Sequence, residues 1–218
     1  MLKDKQTAVR TAKYLLDIEA VRLEPENYFT WASGWHSPIY CDNRMTLSYP
    51  EIRTFLAESF AKIVQNGQTR PDVIAGVATG AIAVGMLTAQ ILGVPFVYVR
   101  PEAKKHGRGN QIEGCLEAGQ KVVVIEDLIS TGGSSLGAVE ALRQAGAEVL
   151  YMAAIMTYGF PLAQDNFDKA ALQLITLCDY DTLIAQAVEM GYVRASQLEL
   201  LSGWRENPSE WKKDARES

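Results

Sequence analysis

The sequence predicts an α/β protein: a parallel sheet with helices on both faces, a small lobe over residues 1–48, a core over about 49–178 and C-terminal helices over 179–218. Two observations carry this. Segments that are apolar at almost every position (DVIAGVA, FVYVR, KVVVIED, VLYMAAIMTY and LQLITLC) alternate with helical patterns, as strands buried on both faces by crossover helices do. The chain has 218 residues, 48% apolar and 22% charged, which suits a single domain with a well-filled core.

The elements follow in order. Val9, Ala12, Leu15, Leu16 and Ala20 recur at helical spacing and predict an amphipathic first helix. The stretch PENYFTWASGWHSPIYCDNRMTLSYP, rich in aromatics, Gly, Pro and Ser, reads as short strands around a turn at Ala32-Ser33-Gly34, with His36 at the surface of that turn. Ser48 and Glu51 form a capping-box pattern with Pro50 in the first turn; Ile52, Phe55, Leu56, Phe60 and Ile63 are the stripe of the helix behind it, and Gly67 stops it. Thr79-Gly80 separates the first core strand from a helix that ends at Gly93. FVYVR and KVVVIED are the next strands, and SSLGAVEALRQAG is a helix with its stop glycine. Two further strands with a helix between them complete the core; two helices and a polar tail follow from Asp179.

Composition excludes several classes. A formal net charge of -5 argues against nucleic acid as a partner. MLKDKQTAVR carries charges but no apolar stretch, so no secretory signal is expected. No apolar run approaches the roughly 18 residues of a membrane span, and no membrane partner is expected. Cys41, Cys115 and Cys178 are too far apart for a zinc knuckle or a disulfide framework. A cytoplasmic protein is the expectation.

The chemistry concentrates in KVVVIEDLISTGGSS, Lys121 to Ser135. A buried strand ends in Glu126 and Asp127, and Ser130-Thr131-Gly132-Gly133-Ser134-Ser135 then opens a helix. Ligands of parallel sheets sit beyond the carboxyl ends of the strands. Free backbone N–H groups, hydroxyls and two glycines at a helix N-terminus cradle a phosphate, and the glycines let backbone approach it closely. Carboxylates do not hold phosphate; they accept from ribose hydroxyls or bind a metal on the substrate. Together these groups spell a sugar phosphate. A Walker loop is excluded because no Gly-Lys-Ser/Thr follows the glycines, and Gly107-Arg108-Gly109 lacks the helix that a dinucleotide fingerprint needs.

VVVIEDLISTGGSS closely resembles the phosphoribosyl-pyrophosphate (PRPP) motif of the type I phosphoribosyltransferases. That resemblance implies a five-stranded parallel core with a variable hood, here residues 1–48. It also implies that Glu126 and Asp127 hold the ribose hydroxyls, and that the turn Leu128, Ile129, Ser130, Thr131, Gly132, Gly133 and Ser134 binds PRPP, with Ser130 to Ser134 on the 5′-phosphate.

Between two strands, Arg100 to Gln111 carries five basic or His residues and two glycines in a chain of negative charge. A cationic loop of this kind suits a lid over a highly anionic substrate. YVRPEAKKHGRGNQIEG is similar to the catalytic loop of the orotate phosphoribosyltransferases, and FTWASGWHSPIYCDNR to their hood. The resemblance implies that Arg100, Lys104 and His106 bind the pyrophosphate of PRPP from the other subunit of a homodimer, with Lys104 and Asp127 as the catalytic pair. It places orotate beside Ser130, Tyr40 and Cys41, and Mg²⁺ on the PRPP oxygens with no direct protein ligand. The chain departs from part of that family at Pro101, Ala32, Thr79-Gly80 and Tyr158, where other members carry basic or Tyr-Lys residues. The implied reaction joins orotate and PRPP into orotidine 5′-monophosphate and pyrophosphate in pyrimidine synthesis. A transferase for another base and a PRPP-sensing regulator without turnover remain as alternatives.

Overall fold

Asp4 opens the chain's first helix, α1 (Lys5–Asp17), by accepting from the Thr7 N–H at 2.8 Å and the Thr7 hydroxyl at 2.6 Å. The structure, a computed structural model, describes residues 4–31, 33–101 and 111–212. α1 buries Ala8, Thr11, Ala12, Leu15 and Leu16; of the expected stripe, Ala12, Leu15 and Leu16 are on this face, Val9 is half-buried and Ala20 lies beyond the helix end.

Four short strands follow: β1 (Val21–Leu23), β2 (Phe29–Thr30), β3 (His36–Ser37) and β4 (Ile39–Cys41). β1 pairs antiparallel with β4, and β2 with β3 around the predicted turn, where Gly34 takes φ +83°. His36, expected at the surface, is instead 7% exposed. Its Nδ1 lies 3.1 Å from the Lys212 carbonyl, and its ring packs on Tyr28 at 4.6 Å. The C-terminal segment folds back over the lobe, a contact between residues 176 apart that leaves no local pattern.

A 3-10 turn over Asn43–Ser48 leads into α2 (Pro50–Gln65). The capping box at Ser48 does not form: Ser48 ends that turn, and Tyr49 occupies the N-cap without a side-chain bond. Glu51 instead accepts from the Tyr14 hydroxyl at 2.6 Å.

The core runs β5 (Val73–Val77), α3 (Ile82–Leu92), β6 (Phe96–Val99), β7 (Ile112–Glu113), β8 (Lys121–Ile129), α4 (Gly133–Gln144), β9 (Glu148–Thr157), α5 (Pro161–Lys169) and β10 (Leu174–Asp179). Helices α6 (Tyr180–Glu189) and α7 (Leu198–Glu206) close the described chain. The sheet order is β10-β9-β8-β5-β6-β7, five parallel strands as the resemblance implies. β7 is an antiparallel edge that sequence reading missed. It has only two paired residues, too few for any periodicity to show.

Alternate residues of the central strands face two cores. Ile74, Val123, Ile125, Ala153 and Ile155 pack with α1, α2, α3 and α6, while Val73, Ala75, Val122, Val124 and Ala154 pack with α4 and α5. That double coverage is why the strands read as unbroken apolar runs. β8 continues beyond the acidic pair to Ile129, because β9 runs alongside it as far as Thr157.

Candidate active site

The chain enters the sheet at β5, adds β6 on one side and then β8 on the other, so the direction of winding reverses between β5 and β8. Ligands in open α/β sheets bind in the crevice at such a reversal, outside the carboxyl ends of the strands. The turn Thr79-Gly80 after β5 and the acidic pair near the end of β8 flank it.

Glu126 and Asp127 are adjacent in sequence and turn to opposite faces of β8. Glu126 points toward α4 and is 5% exposed; its carboxylate accepts from the Ser135 hydroxyl at 2.7 Å and from the Asp127 N–H at 2.8 Å. Asp127 lies over the backbone of Gly80, so close that a Cβ on Gly80 would fall 1.9 Å from Asp127 Oδ2. The two carboxylates that resemblance assigns to one task thus have different surroundings. Glu126 is tied into the start of α4; Asp127 is presented over the crevice.

Burial, and then the neighbouring Asp127, raise the Glu126 carboxyl well above its ordinary value of 4.5, while the Ser135 hydroxyl works against the shift. A folded-state pKa above the unfolded one means that the group's contribution to stability is full below the unfolded value and is lost as pH rises through the folded one. Glu126→Gln keeps the shape and can bond both partners without titrating. Thermal melts between about pH 5 and about pH 9 should show this variant gaining on the wild type as pH rises. A constant difference, or a wild type that gains, would remove the raised carboxyl from the account.

The cradle is built by the turn into α4. Gly132 is the N-cap with φ +81° and makes no side-chain cap, so the first-turn N–H groups of α4 point outward for a ligand. Asn166 on α5 braces the turn by donating to the Thr131 carbonyl at 2.9 Å. The Ile129 side chain is fully buried in the core, so only its backbone lies at the turn; its carbonyl accepts from the Tyr158 N–H at 3.1 Å. The two glycines differ. A Cβ on Gly132 would meet Phe167 at 2.9 Å and be held at positive φ, whereas one on Gly133 meets nothing. Gly132→Ala should therefore cost about 1–3 kcal/mol of stability by chemical denaturation. Gly133→Val should fold normally and, with the turn as the expected phosphate cradle, raise the KM for PRPP about tenfold or more by placing a side chain in it. Unchanged PRPP kinetics in a folded Gly133→Val would displace the cradle.

Beside the cradle, Thr30, Trp31, Tyr40, Cys41, Leu128, Ser130 and Tyr158 line a cavity of about 290 Å³. Tyr40 and Cys41 from β4, proposed from resemblance, are in it, and so is the Leu128 side chain. Trp31 and Tyr158 are stacked at 5.4 Å with 24° between their planes. No Lys, Arg or His lines this cavity among the described residues. Burial first, then the Asp127 and Asp42 carboxylates, push the Cys41 thiol up, so it stays protonated and is a poor nucleophile. Asn43, which sequence reading did not single out, donates to the Asp127 carbonyl at 2.7 Å and pins the hood to the end of β8.

Arg100 stands at the end of β6. Gln111 donates to the carbonyls of Arg100 at 3.0 Å and Pro101 at 3.2 Å, and the Gln111 carbonyl accepts from the Arg100 N–H at 2.9 Å, so the two ends of the cationic segment meet at the sheet edge. Arg100 also pairs with Glu113 at 3.6 Å. Lys104 and His106 lie outside the described residues.

A model of the phosphoribosyl transferase domain matches residues 45–183. The orotate phosphoribosyltransferase of Porphyromonas gingivalis is 54% identical over 200 residues, covering 92% of this chain and 95% of that one. The chain belongs to the orotate phosphoribosyltransferase family. Solved structures agree with this membership. The orotate phosphoribosyltransferase of Aeropyrum pernix superposes with a TM-score of 0.71 at 28% identity, covering 84% of this chain and 98% of that one. The UMP synthase of Leishmania donovani superposes with a TM-score of 0.76 at 28% identity over 90% of this chain, which spans 42% of that longer protein. The family match begins at residue 45, so most of the hood lies outside it, while Leu128, Ser130 and Tyr158 of the cavity lie within it.

Proposed function

We propose that this chain joins orotate to the phosphoribosyl group of PRPP, releasing pyrophosphate and forming orotidine 5′-monophosphate. The observation that carries the reading is the juxtaposition at one sheet reversal of a phosphate cradle, the Asp127 carboxylate and a flat-walled cavity between them and the hood. The cradle takes the 5′-phosphate, the Asp127 carboxylate accepts from the ribose hydroxyls with Glu126 bracing the start of α4 beside it, and the stacked Trp31–Tyr158 pair offers a face to a pyrimidine ring.

In the reaction the bond from the anomeric carbon to pyrophosphate breaks and a bond to a base nitrogen forms. Positive charge grows on that carbon and negative charge on the leaving group, so the catalytic need is electrostatic. Asp127, beside the ribose, stabilises the first; Lys104, with Arg100 and His106, stabilises the second. Closing the 100–111 segment excludes the water that would otherwise capture the carbon. Mg²⁺ would be carried on the PRPP oxygens, since among the described residues the crevice offers only Asp127 and Glu126, and Glu126 is already engaged by Ser135. When bound, it neutralises pyrophosphate charge.

We further propose a homodimer in which that segment serves the partner's site. α3 supports it: the helix is apolar nearly all round, and Met86 and Ile91 are 46% and 45% exposed, a surface suited to a second copy of the chain. Three free cysteines and the absence, among the described residues, of any helix long and apolar enough to cross a membrane fit a cytoplasmic setting.

Loss of orotate absorbance in the presence of PRPP and Mg²⁺ tests the reading. Turnover of another base in a parallel panel, with orotate untouched, would transfer the chain to another specificity; PRPP binding with no base consumed would make it a sensor.

A further inference from the structure

Trp204, on α7 far from the cradle in sequence, is fully buried and lines no part of the base-side cavity. It stands directly behind that cavity's aromatic wall. Its ring meets Trp31 at 5.7 Å and Tyr158 at 5.6 Å, both nearly perpendicular at 85° and 84°, and Phe160 at 5.3 Å and 70°. Among the described residues its indole N–H has no hydrogen-bond partner, and ring-to-ring contact holds it in place. The helix that carries it is tethered to the sheet: the Tyr180 hydroxyl, at the start of α6 directly after β10, donates to the Leu201 carbonyl at 3.1 Å, and the Tyr180 ring touches Trp204 at 5.5 Å. The C-terminal helices thereby reach the site through three successive layers, Tyr180, Trp204 and then the Trp31–Tyr158 stack.

Trp31 comes from the hood and Tyr158 from the segment after β9, so the chain between them does not fix their relative angle. An edge-on ring touching both does. We propose that Trp204 is the positioning residue for the base: it sets the angle of the Trp31–Tyr158 wall and hence affinity for the pyrimidine ring, and leaves PRPP binding to the cradle. The proposal rests on the functional reading above. With no cation lining the cavity among the described residues, recognition of the base depends strongly on this preorganised wall.

The test is a steady-state comparison of Trp204→Phe with the wild type, varying orotate at saturating PRPP and then the reverse. Loss of one well-oriented aromatic contact corresponds to about a threefold to tenfold rise in KM for orotate. The KM for PRPP should stay within about twofold, a split that simple destabilisation does not produce. Tyr180→Phe, which removes only the tether to the Leu201 carbonyl, should move orotate the same way by a smaller factor; it decides the matter alone if Trp204→Phe does not fold. Leu201→Val, an equally buried change on the same helix, should leave the KM for orotate unchanged. Equal rises for both substrates, no rise for orotate, or a matching rise in Leu201→Val would each overturn the proposal. A wild type that does not consume orotate with PRPP and Mg²⁺ sinks the functional reading instead, which keeps the two failures apart.

Discussion

Gly80→Ala is expected to remove nearly all turnover while leaving the protein folded. The added methyl would lie 1.9 Å from Asp127 Oδ2, 2.3 Å from its Cγ and 2.9 Å from Oδ1. No atoms can share that space, so the Asp127 side chain must rotate away. Gly80 is not held at positive φ, and what it strikes is the end of a rotatable side chain. The cost to stability is therefore small, under about 1 kcal/mol. With Asp127 in the catalytic role proposed above, the expected cost to catalysis is large, because displacing a catalytic group by about an ångström lowers rate on the order of 10²-fold, and here the shift exceeds that. A melting temperature near that of the wild type with kcat/KM lowered by about two orders of magnitude or more is the expected pair of results. A folded variant with kcat/KM within about threefold of wild type would show that Asp127 does not act from over Gly80.

The second large effect concerns the shared site. Lys104→Ala should lower kcat by about 10²–10³, the size of loss seen when one preorganised donor to a developing charge is removed. Asp127→Asn should be similarly impaired. If the 100–111 segment of one subunit completes the site of the other, the two variants rescue each other on mixing. Random reassociation makes about half the dimers mixed. In a mixed dimer, the site built on the Lys104→Ala chain keeps its own Asp127 and borrows an intact Lys104, while the other site lacks both. One good site in two, in half the dimers, restores roughly a quarter of wild-type activity. With subunit exchange confirmed by mass, activity no higher than that of the separate variants would place each segment over its own subunit's site.

Much of the site could be read before any fold was known, for local reasons. The string from Lys121 to Ser135 concentrates a strand, two acids and a glycine-hydroxyl turn in one uninterrupted stretch, so composition and order suffice to suggest a sugar-phosphate cradle. Tyr40 and Cys41 were placed beside the base by resemblance of the hood, and both line the cavity next to Ser130. The residues that escaped act across the fold. Asn43 carries no local signal of its role because its partner, the Asp127 carbonyl, is 84 residues away. Trp204 sits in a helix whose pattern signals only burial, and Asn166 is a half-buried polar residue of α5 with no local signal of its partner. The CDNR stretch is shaped locally by Asp42, which accepts from the Arg44 N–H at 3.2 Å and opens the 3-10 turn.

By itself the sequence determined the long core strands and helices, where the glycine-hydroxyl turn lies and which family the chain resembles. Those properties depend on side-chain polarity at neighbouring positions, and buried parallel strands, helix stops and glycine turns write them locally. Only the tertiary structure decided which acid does what. Glu126 and Asp127 are equivalent as letters, but strand alternation sends one into the α4 face, where it accepts from Ser135 and burial raises its carboxyl, and the other over Gly80. It alone decided that Gly132 is required by the fold and that Gly133 stands in open space, since a Cβ meets Phe167 from α5 in one case and nothing in the other. It also buried His36 beneath the returning C-terminal segment and set Trp204 behind the base-side wall. In each case the deciding contact joins atoms close in space and distant along the chain, and such contacts exist only once the sheet order has brought their elements together.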